Sequence, residues 1–147
     1  MHMLSRIVRL RFLSTDIDAG LLFLRVSTSI SLFLKHGYEK IFTFSAMAPT
    51  FSDPLHLGST TSLIIAMIGD SICSILVIFG LATRWATLFS FGVIFVAWSL
   101  KFKYLYFHGL GHYAAEHGQL MVLYLLTHAV IFISGPGRYS VDARLKG

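Results

Sequence analysis

The sequence predicts an all-α integral membrane protein: one four-helix transmembrane bundle. Three observations carry that prediction. Hydrophobic residues make up 55% of the 147 and charged residues 13%, about half the charged share of an ordinary soluble domain. The apolar residues fall into four runs, each approaching the roughly 20 residues that a span needs. The basic residues punctuate the ends of those runs. A soluble chain of this length could not bury so much apolar surface in one core, so lipid is the expected solvent.

A single domain is expected over residues 1–147, with spans at about 18–44, 61–81, 85–107 and 116–134. Ser14, Thr15 and Asp16 offer capping groups for the first span, and the polar stretch Lys35–Lys40 lies near its end. Pro49, Asp53-Pro54 and Gly58 mark a loop at roughly 45–60. The turn Gly80–Arg84 is so short that the second and third spans must form an antiparallel hairpin. A second loop runs from His108 to His112. Gly135-Pro136-Gly137 stops the fourth span, and a polar tail follows. The short apolar centre of the fourth span suits a tilted helix or a thin bilayer.

Before the first span, residues 4–13 mix Arg6, Arg9 and Arg11 with Leu4, Ile7, Val8 and Phe12. Two readings stay open, an interfacial helix on an anionic leaflet and a frayed basic tail. No small-residue cleavage site follows the arginines, so the first span is expected to be retained. Four spans place both termini on one side. That side carries Arg6, Arg9, Arg11, Arg84, Arg138, Arg144 and Lys146, against Lys35, Lys40, Lys101 and Lys103 on the other. The positive-inside rule then makes both termini cytoplasmic. Trp85, Tyr38, Tyr104, Tyr106, Tyr113 and Tyr139 fall near span ends, as an interfacial aromatic belt does.

The net charge of +5 does not gather into a basic run with interleaved aromatics, so nucleic acid is not an expected partner. Cys73 is the only cysteine, which excludes an internal disulfide and a self-contained thiol–disulfide enzyme.

Charged groups at bilayer depth are costly and usually face the bundle interior with partners. Arg25, Asp70 and His128 are the three in question. At about 100° per residue, Arg25 and His36 lie within about 20° of each other, with Thr28, Ser29, Glu39 and Lys40 on the same broad face. Asp70 shares a face with Ser59, Ala66 and Ser74; His117, Tyr124 and His128 align on the fourth span, with Met121 between them. Counting about 1.5 Å per residue puts Arg25 and His128 roughly 9–10 Å from the cytoplasmic edge and Asp70 roughly 15 Å. An Arg25–Asp70 ion pair with His128 close by is therefore expected. His36, Lys40, Glu39, Glu116 and His117 would form a second, outer group. The inner group reads either as structural glue that fixes helix neighbours or as a site for a quinone headgroup, a small polar ligand or a proton.

His108, His112 and Glu116 recur every four residues, a spacing at which a helix would converge them on a metal. Gly109 and Gly111 break such a helix, and solvated loop histidines are the expectation. No HExxH, Gly-rich phosphate loop or GxSxG motif is present, and no inverted repeat of the transporter kind.

The stretches LLFLRVSTSISLFLKHGYEK (21–40), GDSICSILVIFGLATRWA (69–86) and GPGRYSVDA (135–143), with the DPLHLG loop, resemble the DoxX family of membrane proteins across about residues 17–145. Arg25, His36, Gly37, Lys40, Gly80, Arg84 and Gly135–Tyr139 match its pattern. Where many relatives have a glutamate in the second helix this chain has Asp70, which reaches one methylene less far. The resemblance implies a four-helix protein of the bacterial inner membrane, cytoplasmic at both ends. Relatives include a subunit of a thiosulfate:quinone oxidoreductase, and others are linked to quinones and oxidative stress. The expected function is a redox-associated, quinone-interacting membrane subunit. Arg25, His36, Lys40, Asp70, Tyr124 and His128 are the candidate pocket residues. No covalent cofactor is expected, so electrons would come from a soluble or membrane partner. The alternatives are a non-catalytic scaffold of a larger complex and a small-solute or proton pathway, with self-association left open.

Overall fold

Burial in this protein runs opposite to that of a soluble domain. Arg25, Ser29, Ser71, Ser74, Thr87 and His128 are wholly or almost wholly buried, while Phe23, Leu34, Phe79, Trp85, Leu126 and Ile133 lie exposed. Side chains that water would draw outward face in because the surroundings are lipid. A computed structural model describes residues 16–99 and 112–145, with the side chains of 112–117 outside that description.

Helix α1 spans Ile17–Phe42, 26 residues or about 39 Å. Asp16 caps it by accepting from the Ala19 amide at 3.1 Å, the role its sequence position predicted. A short helix α2, Phe44–Met47, lies in what the sequence marked as loop. Helix α3 spans Ser59–Phe79, 21 residues or about 31 Å. Helix α4 covers Thr83–Ala97 and α5 covers His112–Ser134. In place of the expected polar tail a last short helix, α6, forms over Val141–Leu145. Among the described residues, α1 and α3 are each long and apolar enough to cross a bilayer, and α4 and the apolar part of α5, Gly118–Ser134, are shorter.

The four long helices close into a ring. α1 packs on α3 and α5, and α4 packs on the same two neighbours. The α3–α4 hairpin turns where Gly80 ends α3 at φ 72°. The Leu81 amide donates to the Leu76 carbonyl at 2.9 Å and the Gly80 amide to Val77 at 3.2 Å, a Schellman closure. Apolar packing gathers in two clusters. Leu32, Ile94, Tyr124 and Leu125 form one; Cys73, Val77, Ala86 and Ile131 form the other.

The π turns Phe33–Gly37 in α1 and Ile68–Ile72 in α3 face each other. A π turn inserts one residue into the ladder and widens the backbone locally. Gly37 sits where a Cβ would lie 2.5 Å from the Asp70 carbonyl oxygen, so the helices approach there backbone to backbone. Side-chain hydroxyls from the neighbour reach carbonyls of these turns. Ser71 Oγ donates to Gly37 O at 3.0 Å, and Ser90 Oγ donates to Gly69 O at 2.6 Å.

The α1–α3 connection is tied by one carboxylate. Asp53 accepts from the Leu57 amide at 2.9 Å, the Gly58 amide at 2.7 Å and Ser62 Oγ at 2.7 Å. The Ser62 hydroxyl first, then the two amides, hold the Asp53 carboxyl below its ordinary value of 3.8.

Replacing Gly37 by Ala should push α1 off α3 and lower the apparent melting temperature in detergent, an overpacking cost of about 1–3 kcal/mol. Gly92→Ala is the control: a Cβ there meets nothing within 4 Å and should leave stability equal or slightly raised. A folded pKa below the unfolded one stabilises above the unfolded value and ceases to do so as pH falls through the folded value. The loop tie of Asp53 should therefore contribute in full above pH 3.8, weaken below it and open as pH falls through the lower folded value. Amide exchange at Leu57 and Gly58, corrected for intrinsic rates, should accelerate in that acid range and, in Asp53→Ala, at neutral pH as well.

Candidate functional site

The polar side chains chosen from the sequence divide into two sites at opposite ends of the bundle. The expected Arg25–Asp70 pair does not form. Asp70 Oδ2 is 2.8 Å from Lys40 Nζ, a pair whose side chains are 10% and 11% exposed. The reason is height first and side-chain direction second: Gly37 meets the Asp70 backbone, which leaves Asp70 three residues from Lys40 and twelve residues, about 18 Å, from Arg25. In a helix the Cα–Cβ bond tilts toward the N-terminus. Lys40, at the far end of α1, therefore leans back into the bundle and reaches Asp70. Arg25, near the start of the same helix, leans away from Asp70.

At the Lys40 end the π turn of α1 supplies part of the site. Lys40 Nζ also donates to the His36 carbonyl at 2.8 Å. The His36 ring stands edge-on to Tyr124 of α5, with centroids 6.1 Å apart. Tyr124 Oη shares a 2.8 Å hydrogen bond with Ser31 Oγ of α1. Lys40 and His36, assigned from the sequence to a separate outer group, thus belong with Asp70 and Tyr124. Glu39 does not join them and lies exposed. Glu116 and His117 have side chains outside the described residues. His128 lies deeper, wholly buried, with Nδ1 2.8 Å from the Tyr124 carbonyl oxygen.

At the other end Arg25 is 1% exposed. Its Nη1 donates to Pro136 O and its Nη2 to Tyr139 O, both at 2.8 Å. A charged arginine at bilayer depth costs about 2.5–3.5 kcal/mol on insertion scales. Two hydrogen bonds from a charged donor, about 1.5–3 kcal/mol each, are large enough to offset that cost. Gly80 leaves room for the guanidinium, because a Cβ there would run into it. Beside Arg25, Asp142 of α6 caps α4 from outside that helix. Its carboxylate accepts from the Ala82 amide at 2.7 Å, the Thr83 amide at 2.8 Å and Thr83 Oγ1 at 2.7 Å. This holds Ala82 in the left-handed region at φ 47°. Arg138 completes the closure through Asp16 at 2.7 Å. The Ala19 amide, then Tyr139 and Arg138, hold the Asp16 carboxyl below its ordinary value.

Neither Asp142 as a cap nor carbonyls as the partners of Arg25 is signalled by the sequence pattern. The GPG turn was the one signal that could have found the second, since it creates carbonyls that no helix uses.

Surface hollows among the described residues include one of about 230 Å³ and one of about 250 Å³. The first is lined by Phe79, Tyr139, Ser140, Val141 and Arg144, and the second by Leu88, Phe91, Ala129, Phe132 and Ile133. Neither touches Lys40 or Asp70. Of the metal spacing noted in the sequence, His108 and the side chains of His112 and Glu116 lie outside the described residues.

Set against known protein families, the chain matches DoxX over residues 20–109. That stretch includes both π turns and the Lys40–Asp70 pair, and stops short of the carbonyls that hold Arg25. No curated protein and no solved structure matches the chain.

Arg25→Lys keeps the charge but loses the planar fork that spans two carbonyls. The segment 135–145 should then detach more often. Limited trypsin digestion in detergent should cut after Arg138 and Arg144 several-fold faster than in the unsubstituted protein, with helix content by circular dichroism unchanged.

Proposed function

The chain belongs to the DoxX family of integral membrane proteins, and from that premise we propose that it is a redox-associated membrane subunit that binds the headgroup of a quinone-type carrier. The observation that carries this reading is the Lys40–Asp70 pair, buried where two π turns meet. Quinone carbonyls accept hydrogen bonds. Lys40 Nζ and Tyr124 Oη are donors on adjoining walls, and the His36 ring lies against Tyr124. Asp70 holds Lys40 in place through the 2.8 Å ion pair. π turns recur at functional sites because they re-aim side chains and open carbonyls. For a headgroup to enter, the His36 and Tyr124 rings part. Arg25 belongs to the C-terminal closure instead, and His128 lies beneath the site as support.

The chain carries no flavin, haem or dithiol motif, so in this reading the electrons come from a soluble or membrane partner. Both termini face the cytoplasm of a bacterial inner membrane. This orientation is supported by the basic residues at one end and by Asp16 and Arg138 meeting there. A second reading, a non-catalytic scaffold within a larger complex, draws support from the apolar hollow between α4 and α5.

Titration of the protein in lipid nanodiscs with decylubiquinone, followed by tryptophan quenching, tests the first reading. Saturable binding is expected. It should weaken at least tenfold in the Lys40→Met, Asp70→Asn double variant, which removes both charges and leaves neither buried alone. Unchanged binding in a double variant of normal helix content would remove the pair from the site. Absence of binding in the unsubstituted protein, with one partner protein co-purifying throughout, would favour the scaffold.

A further inference from the structure

Between the Lys40–Asp70 pair and Arg25 the bundle has a polar level that neither end uses. It lies where the two apolar clusters meet. Ser29 of α1, Ser74 of α3 and His128 of α5 are each 0% exposed there. None of Ser29 Oγ, Ser74 Oγ and His128 Nε2 has a hydrogen-bond partner among the described residues. This contrasts with the other wholly buried hydroxyls of the interior. Ser71, Thr87 and Ser90 each donate to a carbonyl.

The three residues fall within about two helical turns of one another along the bundle axis. The Ser31–Tyr124 hydrogen bond fixes α1 against α5. From it, Ser29 is two residues toward the Arg25 end, about 3 Å, and His128 is about one turn in the same direction. Ser74 stands one turn from Asp70, again toward that end, which the Gly37–Asp70 approach places near the height of Phe33. Packed helices lie about 8–10 Å apart, so inward-facing groups within two turns of one another are a span that one or two small ligands bridge.

The chemistry of the set is complementary to water. A carbonyl oxygen only accepts, so His128 Nδ1 donates to Tyr124 O, and Nε2 of the neutral ring is then an acceptor. The two serine hydroxyls donate or accept. One or two waters can give a proton to Nε2 and pair with both hydroxyls, each within the two to four partners that internal waters use. The hydrocarbon around the bundle supplies no hydrogen bonds in place of it.

We propose that Ser29, Ser74 and His128 form an internal water site at mid-depth in the bundle, binding one or two water molecules through Nε2 and the two hydroxyls. The site does not depend on the quinone reading, since it lies beneath the headgroup region and uses other atoms.

The test is water-edited solid-state NMR on the full chain in lipid bilayers with ¹⁵N-labelled histidine. The His128 signals are assigned by their loss in His128→Phe, or in His128→Gln should the phenylalanine variant fail to accumulate. Rapid polarisation transfer from water to His128 Nε2 is expected, falling at least several-fold in the Ser29→Ala, Ser74→Ala double variant. Absent transfer in the unsubstituted protein, or equal transfer in the double variant, would overturn the proposal. Melting temperatures give an independent reading. Each serine-to-alanine change should lower the apparent melting temperature in the unsubstituted background and lower it less in the His128 variant, as groups sharing a ligand are non-additive. If the hydroxyls merely turn onto carbonyls of their own helices, the serine shifts will be the same in both backgrounds, and the shared water is refuted.

Discussion

The contact between the π turns of α1 and α3 is the joint on which the polar interior depends. Each turn widens its helix by one residue, and Gly37 allows the backbones to meet without a side chain between them. That closeness has two consequences. Ser71 reaches the Gly37 carbonyl, so a widened backbone at bilayer depth is covered by its neighbour. Lys40, one turn beyond, comes to lie over Asp70. Removing only one charge of such a pair leaves the other buried without compensation, which typically costs about 3–5 kcal/mol. The joint and the ion pair therefore support each other.

Arg25 performs a different task at the opposite end. It turns a loop into part of the fold by engaging two carbonyls beyond α5, and α6 then delivers Asp142 to the start of α4. One buried cation thus connects the first helix, the α3–α4 hairpin and the C-terminal segment. The matched family stretch ends before that segment, whose GPG turn brings the two carbonyls back to Arg25. The bundle is consequently clamped at both ends, by a side-chain ion pair at one and by cation-to-carbonyl bonds at the other. Between the clamps lie small hydroxyls and one histidine, the part of the interior with fewest protein partners.

Much of this was legible in the chain. The four apolar runs, the Asp16 cap, the Gly80 turn and the GPG stop are local features, each fixed by a few neighbouring residues. Helical periodicity also identified Arg25, Ser29, Asp70, Tyr124 and His128 as inward-facing, since in lipid the polar stripe of a helix turns to the interior. The partners were not legible. Counting residues from each helix end puts Arg25 and Asp70 at similar depth, whereas the backbone contact at Gly37 sets Asp70 beside Lys40 and about 18 Å from Arg25. The lean of side chains toward their own helix N-terminus then closes the Lys40 pair. The π turns were also missed, because FLKHG and IGDSI read as ordinary helix and widen only where the two helices press together.

The sequence by itself determined the class of solvent, the number of apolar runs and the residues that must face inward. Those properties follow from composition and from a period of 3.6 residues, and both are properties of one segment at a time. Tertiary structure decided which cation meets Asp70, what Arg25 holds and that α4 is capped by a carboxylate from α6. These pairings depend on the relative height and rotation of different helices. Backbone approach at Gly37 and the GPG turn set that geometry, and no single segment contains it.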